Sequence, residues 1–154
     1  MATLRIQARA GNSTLTRIRS GRHIFFIDEP PSFGGEDLAP SPVEMLLASL
    51  AGALNAIGQY VARELSMPLR GLDIQIDGDC DASCFFGKSS ENRAGFQEIR
   101  VTLAVDTDAP PELVERWKEQ VLLRCPVLDN LTAPVRVETV FRPAAVDRDA
   151  PREI

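Results

Sequence analysis

Thiol and imidazole side chains are few in this 154-residue sequence, and they are spread along it. The cysteines are Cys80, Cys84 and Cys125, and the single histidine is His23. Cys80-Asp81-Ala82-Ser83-Cys84 has the form of half a metal site or of one side of a disulfide. Zinc asks for about four ligands of thiolate or imidazole character, and no second pair accompanies this one, so the two thiols read more simply as incidental. A Cys84–Cys125 disulfide stays open, because it requires Cα atoms roughly 4.4–6.8 Å apart and sequence spacing does not decide that. Cys125 is the sharpest candidate. It is either a lone redox thiol, oxidised to a sulfenic acid and recovered by an outside thiol, or a small apolar residue packed on the inner side of a helix. Its expected place in the last turn of a helix favours packing, since the negative helix end disfavours a thiolate. Arg124 is adjacent but projects about a quarter-turn away.

Glu44 also has two readings. Ser41-Pro42-Val43-Glu44 has a capping serine, proline at the first helical position and glutamate three residues past the cap, which together form a capping box. The structural role accounts for Glu44, and an acidic role in a site is the alternative. The lone His23 serves a His-dependent triad or a zinc site poorly. It reads as a water-facing edge residue, Trp117 as core, and Gly34-Gly35, which lacks phosphate-loop spacing, as a turn.

The elements that would position these residues follow from pattern. Residues 3–9, 13–20 and 23–27 alternate as strands separated by turns at Gly11-Asn12 and Ser20-Gly21, predicting a three-stranded antiparallel meander. A proline-rich loop over residues 28–42 leads to a helix from the Ser41 cap to about Leu65, before Pro68. Its first turns are apolar on nearly every side, with a polar stripe at Asn55, Gln59 and Arg63. The small residues Ala48, Ser49, Ala51, Gly52, Ala53 and Ala56 would let another helix approach closely. Leu72–Asp79 and Phe96–Asp106 pair as a hairpin around a polar loop. Pro111–Arg124 forms an amphipathic helix with Leu113, Val114, Trp117, Val121, Leu122 and Cys125 inward, stopped by Pro126. Val135–Phe141 reads as a last strand and Arg142–Ile154 as a frayed tail. This order predicts one α+β domain, an antiparallel sheet packed on two helices.

Composition narrows the function classes. The 44% hydrophobic and 25% charged fractions are those of a globular protein. Seventeen Lys and Arg against 22 Asp and Glu give a net charge of −5, which speaks against nucleic acid and against an anionic membrane. Met45–Gly58, interrupted by Ser49 and Asn55, falls short of the roughly 20 apolar residues of a membrane span. Met1–Gly11 has no apolar core or cleavage signature of a secretory signal. The expectation is a cytoplasmic protein with reduced thiols, in which the sequons at Asn12 and Asn130 are chance matches. Nothing calls for a metal or cofactor.

Three segments taken together carry a resemblance. They are Asp28-Glu29-Pro30 with Gly34-Gly35 and the run from Ala39 through Ser41-Pro42-Val43-Glu44 to Gly52; then Gly78-Asp79 through Phe86-Gly87 to Gly95-Phe96-Gln97-Glu98-Ile99; and Cys125-Pro126-Val127 with Leu131. Over roughly residues 5 to 141 the chain resembles the osmotically induced protein OsmC and the organic hydroperoxide resistance proteins. The resemblance implies an intertwined homodimer in which six-stranded sheets wrap two long central helices, with active sites at the subunit interface. It also implies the family's chemistry: a cysteine in the central helix attacks an organic hydroperoxide, a second resolves the sulfenic acid as a disulfide, and small or lipoylated thiols regenerate the pair. An arginine and a glutamate hold the first thiol.

Carried over by position, the resemblance puts Ala53 where the attacking cysteine belongs, Cys125 at the resolving position and Glu44 at the family glutamate. The arginine falls near Asn12, with Arg9 and Arg17 beside it. Alanine offers no nucleophile, so the expectation is a weak single-thiol redox protein acting through Cys125, or a non-catalytic relative. The alternative is a binding protein holding a hydrophobic, acyl-like molecule at the dimer interface, where Phe25, Phe26 and the Leu-rich helix would leave an apolar cavity.

Overall fold

A computed structural model describes residues 2–89 and 91–143. The described residues form two compact units, one holding residues 2–45 together with 135–143, the other holding those of Leu46–Pro134. In the first unit, β1 (Ile6–Ala10), β2 (Thr16–Ser20) and β3 (His23–Ile27) form an antiparallel sheet in the order β1-β2-β3. The expected meander is present, with its first two strands starting three residues later. Ile18 is buried on one face, and Arg17 and Arg19 alternate with it. His23 lies exposed on the edge strand, opposite Ser20. A single 3-10 turn at Pro31–Phe33 interrupts the loop that follows.

Helix α1 (Pro42–Glu64, 23 residues) begins at the expected cap and links the units in sequence. Its full length changes one expectation. By length and composition α1 is apolar enough to cross a membrane, its best window having a mean hydropathy of 1.4, although Met45–Gly58 alone falls short. Leu50, Leu54, Val61 and Ala62 form a buried stripe that joins an apolar cluster of the second unit, while only 28% of that window is buried in all.

The second unit pairs β4 (Leu69–Cys80) with β5 (Phe96–Thr107) as a long antiparallel hairpin. Ile74 stands opposite Leu103 and Leu72 opposite Val105. These residues pack toward the cluster, whereas Asp73, Gln75 and Asp77 face water, which is the period-2 pattern of a half-buried sheet. On that wet face Arg70 bridges Asp106 and Asp108, and Arg100 bridges Asp79 and Glu98. Helix α3 (Pro111–Arg124) lays Trp117 and Val121 into the cluster.

Four expectations need correction. Residues 80–95 are not all loop: Asp81 caps a one-turn helix, α2 (Ala82–Phe85), by accepting from the Ser83 N–H at 2.8 Å. Pro126 does not simply end α3; it opens α4 (Pro126–Thr132), because proline at a first helical position gives up no needed N–H. Leu122 points to solvent and is 44% exposed. Val135–Phe141 forms no strand. The tail expected from Arg142 lies outside the described residues from 144 on.

Candidate functional site

In the second unit, Cys125 occupies the junction of α3 and α4, in extended conformation at φ −76° and ψ 111°. Its carbonyl accepts the first bond of α4, from the Asp129 N–H at 3.0 Å. The negative end of α3 and the positive end of α4 therefore meet at this residue, and the expectation of a thiol dominated by one helix C-terminus does not hold. Its side chain is 0% exposed and belongs to the cluster formed by Leu50, Leu54, Val61, Trp117 and Val121. Ala53, half-buried on α1, packs against that same cluster. The fold thus brings to one apolar core the two positions that the resemblance assigns to the cysteine pair.

Arg124, next to Cys125 in sequence, is engaged elsewhere. It donates to the Glu64 carboxylate at 2.9 Å, and its guanidinium lies 5.3 Å from the centre of the Tyr60 ring. Cys80 is exposed at the end of β4, Cys84 is half-buried in α2, and all three thiols are free, so no Cys84–Cys125 disulfide is formed. Among the described residues no group of three or more His, Cys, Asp or Glu side chains is placed to hold a metal ion.

In the first unit Glu44 makes the capping box. Its Oε2 accepts both the N–H and the hydroxyl of Ser41 at 2.7 Å, and the Glu44 N–H returns a longer bond of 3.4 Å to Ser41 Oγ. The Ser41 hydroxyl, and then its backbone N–H, hold the Glu44 carboxyl below the usual glutamate range against the opposing effect of burial. No ion pair involves Glu44 among the described residues. Arg9 and Arg17 stand directly opposite each other on β1 and β2, and Asn12 is exposed in the turn between those strands.

The structure adds a residue that sequence reasoning passed over. Asp28 is 1% exposed at the start of the proline-rich loop. It accepts the Thr14 hydroxyl at 2.6 Å and the N–H groups of Glu36 and Leu38 at 3.2 Å. The Thr14 hydroxyl first, with those amides, draws its carboxyl down to about 2 although burial opposes the shift. Asp28 is thus the tie that closes the loop. Gly35 completes it: a Cβ there would lie 1.8 Å from the Glu29 carbonyl oxygen, so only glycine fits. An acidic residue directly before a glycine- and proline-rich loop was the available signal.

The profile of the OsmC-like protein family matches residues 34–140. This chain belongs to the OsmC-like family. Its fold agrees with solved OsmC-like structures. The OsmC-like protein from Mycoplasma pneumoniae superimposes with a TM-score of 0.73 at 16% identity, covering 86% of this chain and 89% of that one. The organic hydroperoxide resistance protein OsmC from Legionella pneumophila gives 0.60 at 18% identity, over 85% and 90%. The organic hydroperoxide resistance protein OhrB of Bacillus subtilis gives 0.55 at 22% identity, over 86% and 93%. No curated protein matches the sequence. The mixed α/β architecture with antiparallel sheets is therefore the OsmC-like one, and the chain is related to the organic hydroperoxide resistance proteins.

Proposed function

We propose that this OsmC-like protein is a homodimer that does not run a two-cysteine peroxide cycle. The observation that carries the reading is the state of the two cysteine positions. Ala53 supplies no sulfur, and Cys125 is 0% exposed in the same apolar cluster. Peroxide reduction needs an accessible thiolate, and Cys125 offers one only when the core opens. Glu44 acts as a helix cap, its carboxylate held by Ser41.

The uncovered face of α1 supports the dimer. Leu46 is 40% and Tyr60 54% exposed, and the small residues Ala48, Gly52 and Ala56 are open beside them. Val135, Val137, Val140 and Phe141 add further exposed apolar side chains. Exposed apolar surface on each of these units, taken separately, is the kind that marks an interface. An odd number of cysteines, three, fits a reducing cytoplasm. A hydrophobic, acyl-like ligand at the subunit interface is the second reading, and the same uncovered face favours it.

The test is the purified wild type with cumene hydroperoxide and a dithiol reductant, followed by native mass spectrometry. The expected result is consumption at the protein-free rate, a dimer mass and no added oxygen on Cys125. A co-purified acyl mass would establish the ligand-binding reading. Rapid turnover abolished by Cys125→Ser would contradict the proposal.

A further inference from the structure

The first 27 residues contain Arg5, Arg9, Arg17, Arg19 and Arg22 and no acidic residue. The rest of the chain therefore holds 12 Lys and Arg against 22 Asp and Glu, a net charge of −10 against +5 for this segment. None of the five arginines pairs with a carboxylate among the described residues, whereas Arg70, Arg100, Lys118, Arg124 and Arg136 all do.

Three of the five converge at one end of the sheet. Ile6 on β1 stands opposite Ser20 on β2, and Ser20 faces His23 across a two-residue turn. Gly21, at φ +57°, takes the first central position of that turn, where a type II′ turn favours glycine. The chain entering β1 passes beside the turn. Between them opens a concavity of about 780 Å³, lined by Leu4, Arg5, Ile6, Arg19, Arg22 and His23, with no carboxylate in its wall. Arg19 is anchored by its Nε–H to the Gly21 carbonyl oxygen at 3.0 Å, which leaves its terminal amino groups to face a ligand.

We propose that this concavity binds a small phosphate-bearing anion. Three guanidinium groups sharing one hollow repel one another, and a bound anion relieves that repulsion. Leu4 and Ile6 are themselves exposed, so the attraction acts across water and is strongest at low ionic strength. The planar guanidinium fork matches phosphate oxygens in pairs. Three permanent positive charges call for a ligand carrying two or more negative ones, which a monocarboxylate lacks. The hollow is open to water, which suits a compact, highly charged anion better than a ligand that must be enclosed. The acidic remainder of the chain repels a long polyanion such as nucleic acid.

Inorganic pyrophosphate titrated into the full-length protein at low ionic strength tests this by calorimetry, with acetate as the monoanion control. Saturable pyrophosphate binding and a raised Tm are expected. Arg5→Gln combined with Arg22→Gln should weaken binding about tenfold or more with an unchanged circular dichroism spectrum, while Arg93→Gln, at an exposed position in the other unit, should leave it intact. Absence of saturable binding, or equal affinity in the double variant, would overturn the site. Acetate binding as tight as pyrophosphate would overturn the ligand class.

Discussion

The indole Nε1–H of Trp117 donates to the backbone carbonyl oxygen of Gly58 at 2.9 Å, inside the apolar cluster that ties α3 to α1. The contact works in both directions. The hydrogen bond lets a buried tryptophan keep its polar atom satisfied, and glycine at 58 gives the ring room, since a Cβ there would lie 3.0 Å from Trp117 Cζ2 and 3.5 Å from Leu72 Cδ2. Trp117→Phe should lower stability by about 1–3 kcal/mol, through the lost bond and the small void. Gly58→Ala gains about 1 kcal/mol of helix propensity. The pinned ring cannot yield, so a net loss is expected. Urea unfolding of the two variants measures both, and a stabilised Gly58→Ala would show that Trp117 is free to shift.

The helix cap separates structure from chemistry at Glu44. Ser41→Ala should cost about 0.5–2 kcal/mol. Glu44→Gln should cost less, because an amide oxygen still accepts the Ser41 N–H. Thermal unfolding compares them, and equal losses would mean that the carboxylate has a charged partner in the assembled protein.

Asp28 predicts an acid limb of stability. Its folded pKa of about 2 lies below the ordinary 3.8, so its contribution is present in full above the unfolded value and is lost as pH falls from about 4 to 2. Unfolding followed by circular dichroism across that range should show wild-type stability falling more steeply than that of Asp28→Asn, which has no such proton to take up. Parallel slopes would remove Asp28 from the account.

The open face of α1 predicts a dimer with an interface above about 2,000 Å² of total buried surface. Light scattering at micromolar concentration should return twice the chain mass of 16.9 kDa. Leu46→Glu, which puts a charge on that face, should shift the mass toward monomer or lower the Tm. A wild-type monomer would contradict the reading.

What could be read in advance divides along the range of the forces. The start of α1 is legible because a capping box is complete within Ser41–Glu44, and the inward face of α3 because Trp117 and Val121 recur at helical spacing. Pro126 was ambiguous in principle, since the missing N–H that ends α3 also suits the first position of α4. Val135–Phe141 has strand composition, yet strand formation depends on a neighbouring edge as much as on residue type. Asp28 was hidden because its first partner, Thr14, comes from the turn before β2. The Ala53 and Cys125 positions are related by family pattern in the sequence, and only the fold places both against one cluster.

The central claim, that this family member lacks its nucleophile in an otherwise compatible core, is tested most directly by peroxidase activity in Ala53→Cys. The new thiolate would attack the outer oxygen of cumene hydroperoxide, releasing the alcohol and leaving a sulfenic acid. Cys125 would displace water from that sulfenic acid to form a disulfide, and a dithiol would reduce it. We predict thiol-dependent turnover in Ala53→Cys well above the wild-type level, and loss of the disulfide in Ala53→Cys combined with Cys125→Ser. A folded Ala53→Cys dimer with no turnover and no disulfide would contradict the account.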